Sequence, residues 1–361
     1  MTEASDPGSD SDFDFDFDLL CELTEASGVP GYEDQVREVV RRELEAATDR
    51  VRTDAMGNVV GTVEGDSDYT VAVAAHMDEI GFMVKHVDDD GFLRLDALGG
   101  WDPRVLRAQR VRVHAADGDL TGVIGSVPPH TLSAEDREKD DSVERVFVDL
   151  GTTDPEAVAD RVSVGDLVTM EQSTVRMGDA VTGKALDDRV CVLAMLETAR
   201  RLDDPAVTVQ FCATTQEEVG LRGATALGGD VDPDLAVALD VTVASDVPDV
   251  DDDRQVTRLG EGTAIKLKDS SVITNPKVHR RMRAVAEDEG IAHQFEVLPA
   301  GGTDTAGFQN SHGATPVGAI SVPTRYLHTV TETANGDDVD ATVDLLTAFL
   351  DTETGEHDYT L

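Results

Sequence analysis

The stretch VTVQFCATTQEEVGLRGA, residues 207–224, runs from a strand-length apolar segment directly into two adjacent glutamates, Glu217 and Glu218. A continuous apolar run of this length reads as a strand covered on both faces by helices, as in an α/β protein with a parallel sheet. Two neighbouring anions at the end of such a strand repel each other and cost desolvation. Their presence asks for a compensating charge.

The same pattern recurs along the chain. YTVAVAA (69–75) runs into His76 and Asp78, LAVAL (235–239) into Asp240, and TPVGAIS (315–321) is followed after a short loop by His328. Asp187 and Asp188, in GKALDDR (183–189), stand where a helix is expected to begin. Open α/β sheets bind ligands outside the carboxyl ends of their strands. Separate stretches therefore bring two histidines and several carboxylates toward one sheet edge. Imidazole and carboxylate without thiolate suit zinc, cobalt or manganese and are too rich in nitrogen for calcium. Several carboxylates can hold two metals, one of them bridging. One of the paired glutamates can then bind a cation, and the other can stay free as a general base. Taken singly, each group has a plainer reading: a strand-end histidine in a loop, an aspartate capping a helix, a solvated glutamate turn.

The 361 residues exceed what one compact core usually holds, so two domains are expected. There are 73 acidic and 30 basic residues, a formal net charge of −43, spread along the chain. Such a chain repels the nucleic-acid backbone. Dispersed acidity with few lysines reads as adaptation to molar salt. No apolar run is long enough for a membrane span, and the acidic start lacks the form of a signal peptide. The expected location is the cytoplasm, with no nucleic-acid or membrane partner. The three cysteines form no CxxC pair, and Cys191 and Cys212 lie in apolar runs as core residues.

Residues 1–18, with their FDFDFDFD alternation, read as an acidic, disordered tail. Residues 19–47 predict two helices broken at GVPG, the second presenting Val36, Val39, Val40 and Leu44 on one face. From 85 to 170 the chain turns to short alternating strands with Gly and Asp turns and no convincing helix. Helix–strand alternation resumes over 171–361. This ordering predicts an α/β unit, 19–84 and 171–361, interrupted by an inserted β-barrel at 85–170.

At these residues the chain resembles the M42 metallo-aminopeptidases, the tetrahedral (TET), glutamyl and deblocking aminopeptidases. The matching segments include ASGVPGYE (26–33), AAHMDEIGFMV (74–84), GVIGSVPPH (122–130), GKALDDRVC (183–191), TTQEEVGLRGA (214–224), ALDVT (238–242), AGGTDTAGF (300–308) and YLHTVTE (326–332). The resemblance implies a three-layer α/β/α peptidase core with an inserted β-barrel dimerisation domain. It implies two divalent ions per subunit, zinc or cobalt, with manganese also suited. His76 and Asp240 would hold one, Glu218 and His328 the other, and Asp187 would bridge them. Glu217 would be the general base and acid, and Asp78 would orient the His76 imidazole. Thr303 and Asp304 are weaker candidates for substrate contact, and His130, in PPHTL, has some claim to a role. Also implied are peptide substrates cut at the N-terminus and a homo-oligomer, a hollow dodecamer built from dimers. The rivals are a deacylase or carboxypeptidase on a similar core, and a catalytically silent shell. A cellulase is disfavoured by an aromatic content of 4%.

Overall fold

The computed structural model describes residues 13–361 except 134, 136–140, 153 and 311–312. The strands, in chain order, are β1 (Arg50–Thr53), β2 (Val59–Val63), β3 (Ser67–His76), β4 (Gly81–Val87), β5 (Leu93–Leu98), β6 (Arg110–Ala115), β7 (Gly118–Ile124), β8 (Val148–Asp149), β9 (Leu167–Met170), β10 (Val175–Met177), β11 (Ala180–Gly183), β12 (Val207–Thr214), β13 (Leu235–Val243), β14 (Thr263–Lys268), β15 (His293–Val297), β16 (Val317–Arg325) and β17 (Glu332–Asn335). One sheet runs β1-β2-β12-β3-β13-β16-β17-β11-β10, with β14 pairing β16 and β15. Its centre, β12-β3-β13-β16, is parallel throughout.

The parallel strands are buried on both faces, and period-two alternation sorts their side chains between two helical layers. In β3, Val71, Val73 and Ala75 join the large core with residues of the helices Asp34–Ala47, Leu186–Arg201 and Gly336–Asp351. Ala72 and Ala74 face the smaller core of Ala224, Leu227 and Phe308, carried by the helices Arg222–Val231 and Asp304–Gln309. The sheet is therefore the middle of three layers. Helix Leu186–Arg201 is buried along nearly its whole length, which is why VCVLAML carries no polar stripe. Helix Pro276–Glu289 shows how local chemistry sets the ends. Asn275 accepts the Lys277 N–H, Pro276 sits at the first turn, and Gly290 closes it at φ +71°.

The other strands close a barrel in the order β4-β5-β8-β7-β6-β9 around Phe82, Val84, Leu93, Leu95, Val111, Val113, Ile124, Val148 and Val168. Its first strand begins at Gly81, not at 85. GFMV continues the apolar pattern of the preceding strand, so the change of sheet leaves no compositional mark. Among the described residues a short helix, Pro155–Ala159, capped by Asp154, also lies within this block.

Part of the segment read as an acidic tail is packed against the fold. Of residues 1–18, those up to 12 lie outside the described residues, but Phe13, Phe15 and Phe17 are packed while the aspartates between them stay exposed. Phe15 is only 4% exposed. The Phe13 and Phe15 rings stack at 4.9 Å, and the Arg176 guanidinium lies 4.7 Å from the Phe13 centroid and 4.5 Å from that of Phe17. Asp16 caps the helix Phe17–Glu25 by accepting the Leu19 N–H at 3.0 Å. Interspersed phenylalanines thus override local charge. Phe15→Ala is expected to cost about 3 kcal/mol, read as a lowered thermal midpoint. An unchanged midpoint would show that the segment contributes nothing to the core.

Candidate active site

Register brings the site together. Thr214 of β12 pairs with His76 of β3, and Ala238 of β13 pairs with Ala74 of β3, so Asp240 stands level with His76. Beyond these strand ends come Glu217 and Glu218 on one side and, past β16, His328 on the other. These residues line a cleft of about 360 Å³ with Asp187, Gly220, Leu221, Gly301 and Gly302.

Asp187 is the centre. Its Oδ1 lies 3.1 Å from His76 Nε2, and its Oδ2 3.5 Å from His328 Nε2. His328 Nε2 is in turn 3.9 Å from Glu218 Oε2. One potential ligand atom from each of His76, Asp187, Asp188 and Asp240 falls within 4.8 Å of the others, and the same holds for Asp187, Glu218 and His328. Asp187 belongs to both groups. Neither Asp187 nor Asp188 acts as a helix cap. Both have non-helical backbone angles, and the peptide between them is cis.

Each residue is held by its neighbours in the fold. The Asp187 N–H donates to Glu332 Oε2 at 2.9 Å, and the His76 N–H to Asp188 Oδ2 at 3.1 Å. The residues just past β3 are clamped by the groups flanking the aspartate pair. Lys184 Nζ donates to both Glu79 carboxylate oxygens at 2.7 and 2.8 Å, and Arg189 Nε to the Met77 carbonyl at 2.6 Å. All of these side chains are buried.

The electrostatics are unbalanced. Burial pushes the carboxyls of Asp188, Glu217 and Asp240 well above their usual range. Burial, with the Asp187 charge, raises Glu218 to about 8. Hydrogen bonding to Asp187 lifts His328 to about 10. Burial opposes the His76 imidazolium, yet Asp187 and Asp78 outweigh it and its pKa is raised. Burial likewise opposes the Asp187 anion, but His328 and His76 hold its pKa below the usual range. Two imidazoles thus serve Asp187 first and only partly offset the remaining carboxylates, whose pKa values stay raised. Asp188 Oδ1 is buried with no hydrogen-bond partner. Crowded oxygen donors with two imidazoles fit a divalent cation, whose charge would let the carboxylates ionise.

Four other residues singled out in the sequence are placed as follows. Asp78 does meet His76, but through its backbone carbonyl, 3.0 Å from Nδ1. Its carboxylate is 3.7 Å from that nitrogen and instead accepts the backbone N–H groups of Glu217 and Glu218, at 3.0 and 3.1 Å. Thr303 and Asp304 do not reach the cleft. Thr303 bonds Thr305, Asp304 accepts from the Thr214 hydroxyl, and both are buried, while Gly301 and Gly302 form the wall. A glycine wall is what the turn-like GG predicts once side chains are excluded. His130 is exposed in the turn Pro129–Thr131. Two contributors carried no assigned role: Asp188, and Glu332 at the end of YLHTVTE, four residues past His328.

An α/β sheet whose parallel strand ends converge on histidines and buried carboxylates fits the class of metal-dependent hydrolases. Comparison narrows the class. A family model described as M42 glutamyl aminopeptidase matches residues 57–345. The lysyl aminopeptidase of Pyrococcus furiosus is 34% identical over 92% of this chain and 96% of its own. Among solved structures, aminopeptidase APDkam598 from the archaeon Desulfurococcus kamchatkensis shares 37% identity with a TM-score of 0.90, covering 94% of this chain and 95% of that one. The Pyrococcus horikoshii TET1 peptidase shares 33% identity with a TM-score of 0.83, covering 93% and 99%. The chain belongs to the M42 glutamyl aminopeptidase family and is a peptide hydrolase of that type.

A pH signature follows for the protein stripped of cations. Glu218 is raised from 4.5 to about 8, and His328 from 6.5 to about 10. In both cases the folded state holds protons that the unfolded chain has released, so stability falls as pH rises through these windows. Chelator-treated protein should lose thermal midpoint steadily between about pH 5 and about pH 9, and a divalent cation should flatten the slope. A midpoint that rises with pH would contradict this charge balance.

Proposed function

We propose that this chain is a two-cation aminopeptidase that removes N-terminal residues from short peptides. The observation that carries the reading is the single Asp187 carboxylate facing two imidazoles, one oxygen toward His76 and the other toward His328. On this reading His76 and Asp240 hold one ion, Glu218 and His328 the other, and Asp187 is shared. The ligand set suits zinc, cobalt or manganese. When bound, such ions polarise a carbonyl and acidify water.

The chain's own residues supply the remainder. Glu217 lines the cleft and is not needed for either ligand group. It takes the proton of the attacking water and returns it to the departing amine. Asp78, by accepting both N–H groups of the Glu217–Glu218 pair, fixes where the base stands relative to its neighbouring ligand. Gly301 and Gly302 leave the wall free of side chains where a peptide backbone must approach.

The reading extends to assembly and surroundings. The related TET1 peptidase of Pyrococcus horikoshii can assemble into a tetrahedron or a large octahedral shell. We propose a closed homo-oligomer here too, a dodecamer built from dimers that join through the inserted barrel. In such a particle an unselective exopeptidase acts only on peptides that enter it. The net charge of −43 supports work in concentrated salt, and a cytoplasmic location is part of the same proposal. Among the described residues no helix is long and apolar enough to cross a membrane.

Glu217→Gln is expected to retain bound metal and to lose about 10²-fold or more in kcat on aminoacyl-nitroanilides. Near-normal turnover would remove Glu217 from the role of base. Chelation should abolish cleavage of free-amine peptides in molar salt, and added zinc, cobalt or manganese should restore it. Equal activity on N-acylated peptides would favour a deacylase instead.

A further inference from the structure

Glu332 is the first residue of β17 and is almost fully buried, at 2% exposure. Its position follows from pairing: Glu332 stands opposite Gly183 of β11, and Asp187 follows Gly183 by four residues. The carboxylate is divided between two backbone donors from distant parts of the chain. Oε2 accepts the Asp187 N–H and Oε1 the His328 N–H, each at 2.9 Å. One side chain thus ties together the backbones of two residues whose side chains face each other across the site.

His328 needs such a hold. It is the most exposed of the proposed ligands, its side chain 40% accessible. It sits in a short loop where both Tyr326 and His328 have positive φ, +62° and +59°, a conformation unfavourable for side-chain-bearing residues. On its other side the ring packs on Gly100 of the barrel, where an added Cβ would lie 3.2 Å from Nδ1. His76 has a different support. Its N–H goes to Asp188 and its ring to the Asp78 carbonyl, and Glu332 touches neither.

We infer that Glu332 is a positioning residue for the cation position formed by Asp187, Glu218 and His328: its hold on Asp187 bears on both positions, and its hold on His328 makes its loss fall more heavily on this one than on the one formed by His76 and Asp240. The inference rests on the two-cation reading above. If Glu332 only stabilised the start of β17, its loss would weaken both positions alike or neither.

The test is calorimetric titration of the metal-depleted full-length protein with cobalt(II), wild type against E332Q. The amide keeps the size of the side chain but turns an NH₂ group toward one of the two N–H donors. Wild type should take up two equivalents per subunit. In E332Q one equivalent should keep its affinity within about threefold, and the other should weaken about tenfold or more, as expected when a partner that orients a ligand is lost. At limiting cobalt kcat should fall with that second affinity, KM should hold, and excess cobalt should restore the rate. H328A should show the same one-sided loss, and E332Q should add nothing further to it. Unchanged affinities in E332Q, or equal weakening of both equivalents, would overturn the inference. A wild-type stoichiometry of one would instead sink the two-cation reading, and the inference with it. If E332Q loses the wild-type circular dichroism, E332D takes its place under the same criteria.

Discussion

Everything at the sheet edge depends on a charge imbalance. Asp187, Asp188, Glu217, Glu218 and Asp240 converge where water is scarce, and the nearby counter-charges are two imidazoles. The other buried cations described in the α/β part are already engaged. Lys184 is bound to Glu79, Lys266 to Glu296, and Arg189 donates to the Met77 and Ala26 carbonyls. A folded chain tolerates so many anions only by protonating them or by binding cations. Protonated carboxyls would make poor ligands and a poor base, so a divalent cation reconciles the fold with its chemistry.

The surrounding scaffold keeps this cluster from relaxing. Parallel pairing sets His76, Thr214 and Asp240 at one level without any contribution from the polar groups themselves. The flanking residues then lock the exits of the strands: Lys184 and Arg189 grip Glu79 and Met77, Asp78 grips the Glu217–Glu218 backbone, and Glu332 grips Asp187 and His328. A single acid bridging two backbone N–H groups of the site therefore appears twice, at Asp78 and at Glu332. The barrel takes part as well, since Gly100 lies against the His328 ring, where an added Cβ would press on the imidazole at 3.2 Å.

Much of this was legible in the residues. Strand-end histidines and acids could be found because a buried parallel strand is a continuous apolar run, and the polar residue that ends it stands out. Helix Asp34–Ala47 was equally plain from Val36, Val39, Val40 and Leu44. What escaped was information held in direction rather than type. Composition cannot tell that the Asp78 carboxylate turns to Glu217 while its carbonyl meets His76. Nor does it separate Asp187 from Asp188, whose roles divide through backbone angles no local pattern announces. Glu332 drew no reading because one of its two partners lies 145 positions away. Thr303 and Asp304 looked polar and available, but the helix they begin buries them. The phenylalanines of the tail were masked by the aspartates between them, although Arg176 and the core claim the rings.

The central claim is that Asp187 lies between two cations. It is tested most directly by anomalous diffraction, collected above and below the zinc absorption edge, from crystals of the protein supplied with zinc. Two peaks are expected in the cleft on either side of the Asp187 carboxylate, one reached by His76 and Asp240 and the other by Glu218 and His328. A map with no peak there, or with density bound only by surface carboxylates, would contradict it.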